Sequence, residues 1–164
     1  MAADPKCACP HSIEPMTDDD FMKQALDQAH RAAELGEVPV GAVIVAGGRT
    51  IARAHNLCER LHDFTAHAEM QAFTSASEYL GGKFLDQCTL YVTLEPCPMC
   101  AGAAFWTRIG RIVYGARDDK RGGLDFTGKR DQGLFHPKTE MVGGVLEEEC
   151  AELLRTFFAK RRKT

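Results

Sequence analysis

Residues 89–116, TLYVTLEPCPMCAGAAFWTRIGRIVYGA, switch twice between two kinds of periodicity. Segment 89–94 is a short run of β-branched and aromatic residues and predicts a buried strand. Pro96 and Pro98 then suit the first turn of a helix, where a missing backbone N–H costs nothing, and segment 98–107 predicts that helix. After Gly110, segment 111–116 returns to strand composition. A strand, a helical crossover and a second strand make the two strands parallel, so an α/β fold is expected.

Working outward, segment 38–46 is rich in β-branched residues and predicts another buried strand. Gly47-Gly48 signals a tight turn, and 50–55 returns as its partner. Upstream, Thr17 followed by Asp18, Asp19 and Asp20 marks a helix start, with acids at the positive end of the dipole. Phe21, Ala25, Ala29, Ala32 and Ala33 form its stripe, and Gly36 ends it. Residues 56–66 read as a polar connection leading into a helix from His67 to about residue 79, which Gly81-Gly82 stops. A last helix is expected over 147–162, with Val145, Leu146, Cys150, Leu153, Leu154, Phe157 and Phe158 on or near one face. Segment 117–142 is Gly-rich and charged and yields no clear element.

Residues 1–16 lack periodicity and are expected to be a disordered leader, leaving 17–164 as one domain. Cys7, Cys9 and His11 lie in that leader, where their tight spacing has no matching partner set for a second metal. The length of 164 residues suits one domain with a proper core. Apolar residues at 45% and charged residues at 26% are ordinary for a globular chain, and a net charge of −3 does not by itself suggest nucleic acid. No stretch approaches a membrane span, and the first residues lack a secretory core. Seven cysteines, two of them in C-x-x-C, fit a reducing cytoplasm better than a disulfide framework.

Two motifs carry chemistry: His67-Ala68-Glu69 and Pro96-Cys97-Pro98-Met99-Cys100. One histidine and two cysteines suit Zn²⁺, and three protein ligands leave a position for water, as catalytic zinc requires. Glu69 is then a spare carboxylate suited to carrying protons, and burial would move its pKa toward the working pH. A structural zinc site would need a fourth ligand; Cys88 and His62 are the candidates, and neither sits in a paired spacing. A redox C-x-x-C is disfavoured by the His-x-Glu upstream. Cys97 and Cys100 share a helix face, and a helix amino terminus favours thiolate. His67 and Glu69 can both approach one ion only in a first turn. Both motifs are therefore placed at helix starts facing each other where ligands collect in open α/β sheets.

Other residues have plainer readings. His30, His55 and His62 read as surface or packing histidines, and Cys58, Cys88 and Cys150 as small buried apolar residues. On spacing alone Asn56 is either a turn former or a substrate contact. Cations cluster at Arg155, Lys160, Arg161, Arg162 and Lys163, and again at Arg108, Arg111, Arg117, Lys120, Arg121, Lys129 and Arg130, the latter against Asp118, Asp119 and Asp125. These are either a phosphate-binding face or, at the helix end, solvated charges favoured by the dipole.

H-x-E…P-C-x-x-C is the pattern of zinc nucleobase deaminases. From Phe21 to Arg162 the chain resembles the bacterial tRNA-specific adenosine deaminases of the cytidine deaminase-like superfamily. The likeness runs through Val38-Pro39-Val40-Gly41-Ala42-Val43, Thr65-Ala66-His67-Ala68-Glu69, residues 90–103 and 108–118, and the Phe157-Phe158 ending with Lys160-Arg161-Arg162. It implies a three-layer α/β/α fold around a mixed five-stranded sheet, a homodimer, and conversion of adenosine to inosine at the wobble position of a tRNA anticodon stem-loop. It further implies one zinc per chain on His67, Cys97 and Cys100, Glu69 as proton shuttle, and Asn56 and Ala68 holding the target nucleoside. Asp118, Lys120, Phe158 and Arg161 match positions that touch RNA around the flipped base. Residues 124–138 depart from the family pattern, and Pro98 and Trp106 also resemble the guanine deaminase branch, which acts on a free base. A non-catalytic, zinc-stabilised RNA-binding module is the alternative of another class.

Overall fold

Strand β3 (Cys88–Leu94) forms the middle of the molecule because both of its faces are apolar. In the computed structural model, which describes residues 14–124 and 134–163, Cys88, Leu90 and Val92 join one core and Tyr91 the other. Helix α4 (Pro98–Thr107) carries the chain over to β4 (Arg111–Ala116), which pairs parallel with β3 in the register Leu90↔Ile112 and Val92↔Tyr114. The expected β-α-β unit is present. On the other side β1 (Gly41–Ala46) runs antiparallel to β3 and to its own hairpin partner β2 (Arg49–His55). A short strand β5 (Glu140–Gly143) adds parallel to β4, giving a five-stranded mixed sheet in the order β2-β1-β3-β4-β5.

Period-two alternation divides the core into two layers. Ala42, Ile44, Leu90, Val92 and Ile112 face α4 and α3 (Ala68–Leu80), whose Ala72, Phe73, Ala76, Ala101 and Ala104 meet them. Val43, Val45, Tyr91 and Val113 face α1 (Asp18–Glu34) and α5 (Glu147–Arg161) through Phe21, Met22, Ala25 and Cys150. The result is the three-layer α/β/α sandwich. Alanines on the buried helix faces allow close approach, and at Gly41 the approach is closest: a Cβ there would lie 2.0 Å from the Ala25 carbonyl oxygen.

Thr17 and Asp20 form a reciprocal capping box at the start of α1. The next residue, Asp18, accepts two hydrogen bonds of 2.8 Å from Arg111 on β4 and one of 2.7 Å from the Tyr91 hydroxyl. The Arg111 guanidinium, more than the Tyr91 hydroxyl, holds the Asp18 carboxyl below its usual range. The helix start is thereby fastened to two central strands.

One boundary and two elements differ from expectation. β1 begins at Gly41 rather than at 38, because Pro39 has no N–H for a ladder and the Val40 N–H closes onto the Val38 carbonyl at 2.8 Å. The polar connection contains a single-turn helix, α2 (Cys58–Leu61). β5 arises from a segment without an apolar pattern, because an edge strand of four half-exposed residues needs none. Of the apolar residues assigned to the α5 face, only Cys150 is fully buried, and Phe158 is exposed. Most of the leader, with Cys7, Cys9 and His11, lies outside the described residues, as do Asp125, Lys129 and Arg130 within the departing 124–138 segment. Among the described residues no helix is long and apolar enough to cross a membrane.

Candidate active site

The site forms beyond the carboxyl ends of β3 and β4, where α3 and α4 begin. His67 is the N-cap of α3 and Cys97 the N-cap of α4, with Pro98 in the first turn and Cys100 one turn in. Both motifs are at helix starts, as the spacing requires. His67 Nδ1 lies 3.6 Å from Cys97 Sγ and 3.5 Å from Cys100 Sγ, and among the described residues these three form the group able to hold a metal. Hydrogen bonding from Cys100, then from His67, draws the Cys97 thiol down to about 4, and the same pairing with Cys100, together with burial, pushes the Cys100 thiol up. A shared negative charge on the two sulfurs suits a cation.

Neither candidate fourth ligand joins them. Cys88 begins β3 whereas Cys97 follows its end, and a strand of this length separates the two by about 20 Å. Cys88 is packed in the core, and His62 caps α2 in the left-handed conformation.

Glu69, in the first turn of α3, is only 3% exposed. Burial pushes its carboxyl up to about 7. Its Oε2 is buried without a protein hydrogen-bond partner. Such an orphaned atom calls for a ligand. Asn56 bridges two elements: its Oδ1 accepts from the Ala68 N–H at 2.8 Å, and its Nδ2 donates to the Val38 carbonyl at 3.2 Å. One amide hydrogen and one lone pair remain for other partners.

These groups open into a cavity of about 580 Å³, a size usual for small-ligand sites. Asn56, His67, Glu69, Cys97, Asp118, Lys120 and Phe158 line it, which brings most of the residues singled out in the sequence together. Two do not line it. Ala68 is fully buried with its N–H given to Asn56, and Arg161 donates to the Gly36 carbonyl at 3.0 Å while lying over the Phe157 ring.

The sequence reading missed two buried carboxylates that shape the cavity walls. Glu95, 2% exposed, follows β3 and accepts from the Asp118 N–H at 3.0 Å and the Leu124 N–H at 3.2 Å. It anchors both ends of loop 118–124, inside which Asp118 Oδ1 accepts from the Lys120 and Arg121 N–H groups. Gly122 packs so close to Glu95 that a Cβ would sit 2.3 Å from Oε1. Glu37 does the same for α2, accepting from the Glu59 and Arg60 N–H groups at 3.1 and 2.8 Å. A charge set directly after an apolar strand was the available signal for Glu95.

Over residues 16–162 the chain matches the MafB19-like deaminase family. It is 49% identical over 151 residues to a tRNA-specific adenosine deaminase of Bacillus subtilis (strain 168), covering 90% of this chain and 93% of that protein. A structure from studies of A-to-I editing by tRNA:A34 deaminases superposes with a TM-score of 0.75 at 44% identity, covering 82% of this chain and 98% of that one. A guanine deaminase structure from Bacillus subtilis aligns with a TM-score of 0.60 at 41% identity, over only 62% of this chain and 66% of that one. The Bacillus subtilis tRNA enzyme thus shares higher identity over more of this chain than that guanine deaminase does, and the sandwich is of the cytidine deaminase-like kind. The chain belongs to the MafB19-like deaminase family and, within it, to the tRNA-specific adenosine deaminases.

Proposed function

We propose that this protein hydrolyses adenosine to inosine at the wobble position of a tRNA anticodon, with one Zn²⁺ per chain on His67, Cys97 and Cys100. The orphaned, buried Glu69 Oε2 beside a His/Cys/Cys donor group carries the reading. When bound, zinc supplies Lewis-acid chemistry and lowers the pKa of water to about 7. Glu69 takes a proton from the attacking water, delivers it to the neighbouring ring nitrogen, and helps the amine leave as ammonia. Asn56 is held by Val38 and Ala68 so that its remaining amide groups can fix the base, and the Ala68 backbone sets its orientation. Asp118, Lys120 and Phe158, on the rim, are assigned to the RNA around the flipped base, and Arg161 to its phosphates from the basic end of α5. An anticodon loop is already single-stranded, so extruding its base costs little.

The partner in assembly is proposed to be a second copy of this chain. The outer face of α3 and α4 carries a wide concavity of about 840 Å³ lined by Phe73, Phe84, Phe105 and Trp106, and Trp106 is 78% exposed. An apolar patch of this kind marks an interaction surface. Five free cysteines among the described residues, and a tRNA substrate, support a cytoplasmic location.

The test measures inosine and ammonia from anticodon stem-loop RNA, with guanine and cytidine as controls, alongside zinc content. Wild type should deaminate only the RNA and hold one zinc; Glu69→Ala should keep zinc and RNA binding but form no inosine. Guanine consumption without inosine would transfer the protein to the free-base branch. RNA binding without ammonia from wild type would make it a binding module.

A further inference from the structure

Phe64 is the most exposed large apolar side chain in the described residues, at 90%. A single exposed apolar residue is ordinary on a protein surface and means little by position in the sequence. Its setting is what matters. Phe64 lines the same cavity as His67 and Glu69. Its backbone is held in a closed turn: the Ala66 N–H donates to the Asp63 carbonyl at 3.1 Å, and the Asp63 carboxylate accepts from the Thr65 N–H at 2.8 Å and the Thr65 hydroxyl at 2.7 Å. Two more bonds tie the turn to its surroundings, Asp63 N–H to the Cys58 carbonyl at 3.0 Å and His67 N–H to the Thr65 carbonyl at 2.8 Å. The ring is thus presented to solvent from a fixed support three residues before a metal-type ligand.

Loop 118–124 adds the exposed Lys120 and Arg121 to the lining of this cavity, and Arg117, paired with Asp119, precedes them. Phe158, 43% exposed, stands on the same rim from α5. Exposed aromatic faces beside cations form the standard platform for unpaired nucleobases, because every base offers a π-face and every nucleotide a phosphate. A base drawn into the pocket must leave its neighbours unstacked, and these neighbours then gain by stacking elsewhere.

The geometry points to Phe64 as a stacking subsite for an unpaired nucleobase flanking the target nucleotide, a role that rests on the RNA-deaminase reading above. The subsite selects substrates with a nucleotide on that side over free bases and nucleosides. It acts on binding and leaves the chemical step alone.

The experiment measures stem-loop affinity and inosine formation for wild type, Phe64→Leu and Phe64→Trp. Each is tested on intact RNA and on RNA with an abasic ribose placed at either side of the target in turn. Stacking of one base is worth about a tenfold change in affinity. Wild type should lose about tenfold on one of the two abasic RNAs, Phe64→Leu should lose about as much on intact RNA and then be indifferent to that abasic site, and Phe64→Trp should behave as wild type. The rate at saturating RNA should stay unchanged in all three. Phe64→Leu with wild-type affinity, or with undiminished sensitivity to the abasic sites, overturns the subsite, as does a loss traced by sedimentation to a changed oligomeric state. Failure of the broader reading looks different: wild type itself would then form no inosine from intact RNA.

Discussion

Replacing Glu95 by glutamine changes one atom of a buried side chain and puts the anchoring of the pocket rim to the test. In the structure both carboxylate oxygens are committed, Oε2 to the Asp118 N–H and Oε1 to the Leu124 N–H. An amide offers one oxygen and, in place of the other, an NH₂ group that faces a second donor. One charge-assisted bond is therefore lost and a backbone N–H is left unsatisfied, at a cost of about 2–3 kcal/mol. For a chain of this size that corresponds to a fall in Tm of about 4–12 °C. The damage is local, because both side-chain hydrogen bonds of Glu95 run to loop 118–124. Zinc content should be unchanged, the Asp118 and Leu124 amides should lose hydrogen-exchange protection, and KM for stem-loop RNA should rise more than kcat falls. Wild-type protection at both amides, with no measurable change in Tm, would refute the idea that this carboxylate anchors the rim.

Asp18→Asn removes the partner of Arg111 and Tyr91. Because the folded pKa of Asp18 is depressed, its contribution, about 1 kcal/mol for a partly exposed pair, is complete above the unfolded value near pH 4 and is lost as pH falls through the folded one. Urea unfolding at several pH values should show wild type and variant converging below about pH 4, and a difference independent of pH would count against the linkage. Gly41→Ala places a methyl 2.0 Å from the Ala25 carbonyl oxygen and 2.4 Å from the Ala29 nitrogen, both backbone atoms that cannot step aside. It should destabilise by about 3 kcal/mol or more, read from the urea midpoint. Trp106→Arg sets a charge into the apolar face of α4 and should turn the proposed dimer into a monomer by sedimentation, with the circular dichroism spectrum retained.

Much of the fold was legible in the chain because its signals are local. The β-branched runs, the proline-led helix start at Pro98 and the helix start at Thr17 each depend on neighbours within a few residues, and each gives the expected element, with β1 starting three residues late. The donor set was legible for a related reason. Cys97 and Cys100 are tied by helical spacing, and His67 and Glu69 can converge only in a first turn, so spacing constrains geometry before any tertiary contact forms. β5 escaped notice because an edge strand needs only a backbone partner. Glu37 and Glu95 escaped it because their partners are backbone N–H groups 22 to 29 residues away in sequence.

The sequence by itself determined the central β-α-β unit and the three metal-type donors, since periodicity and short spacings are local signals. Only the tertiary structure decided what lines the cavity. It brought Phe64, residues 118–121 and α5 to one cavity, buried Glu69 until one oxygen was left without a partner, and bonded Arg161 to the Gly36 carbonyl. Those outcomes depend on contacts between segments far apart in the chain, which local propensity does not encode.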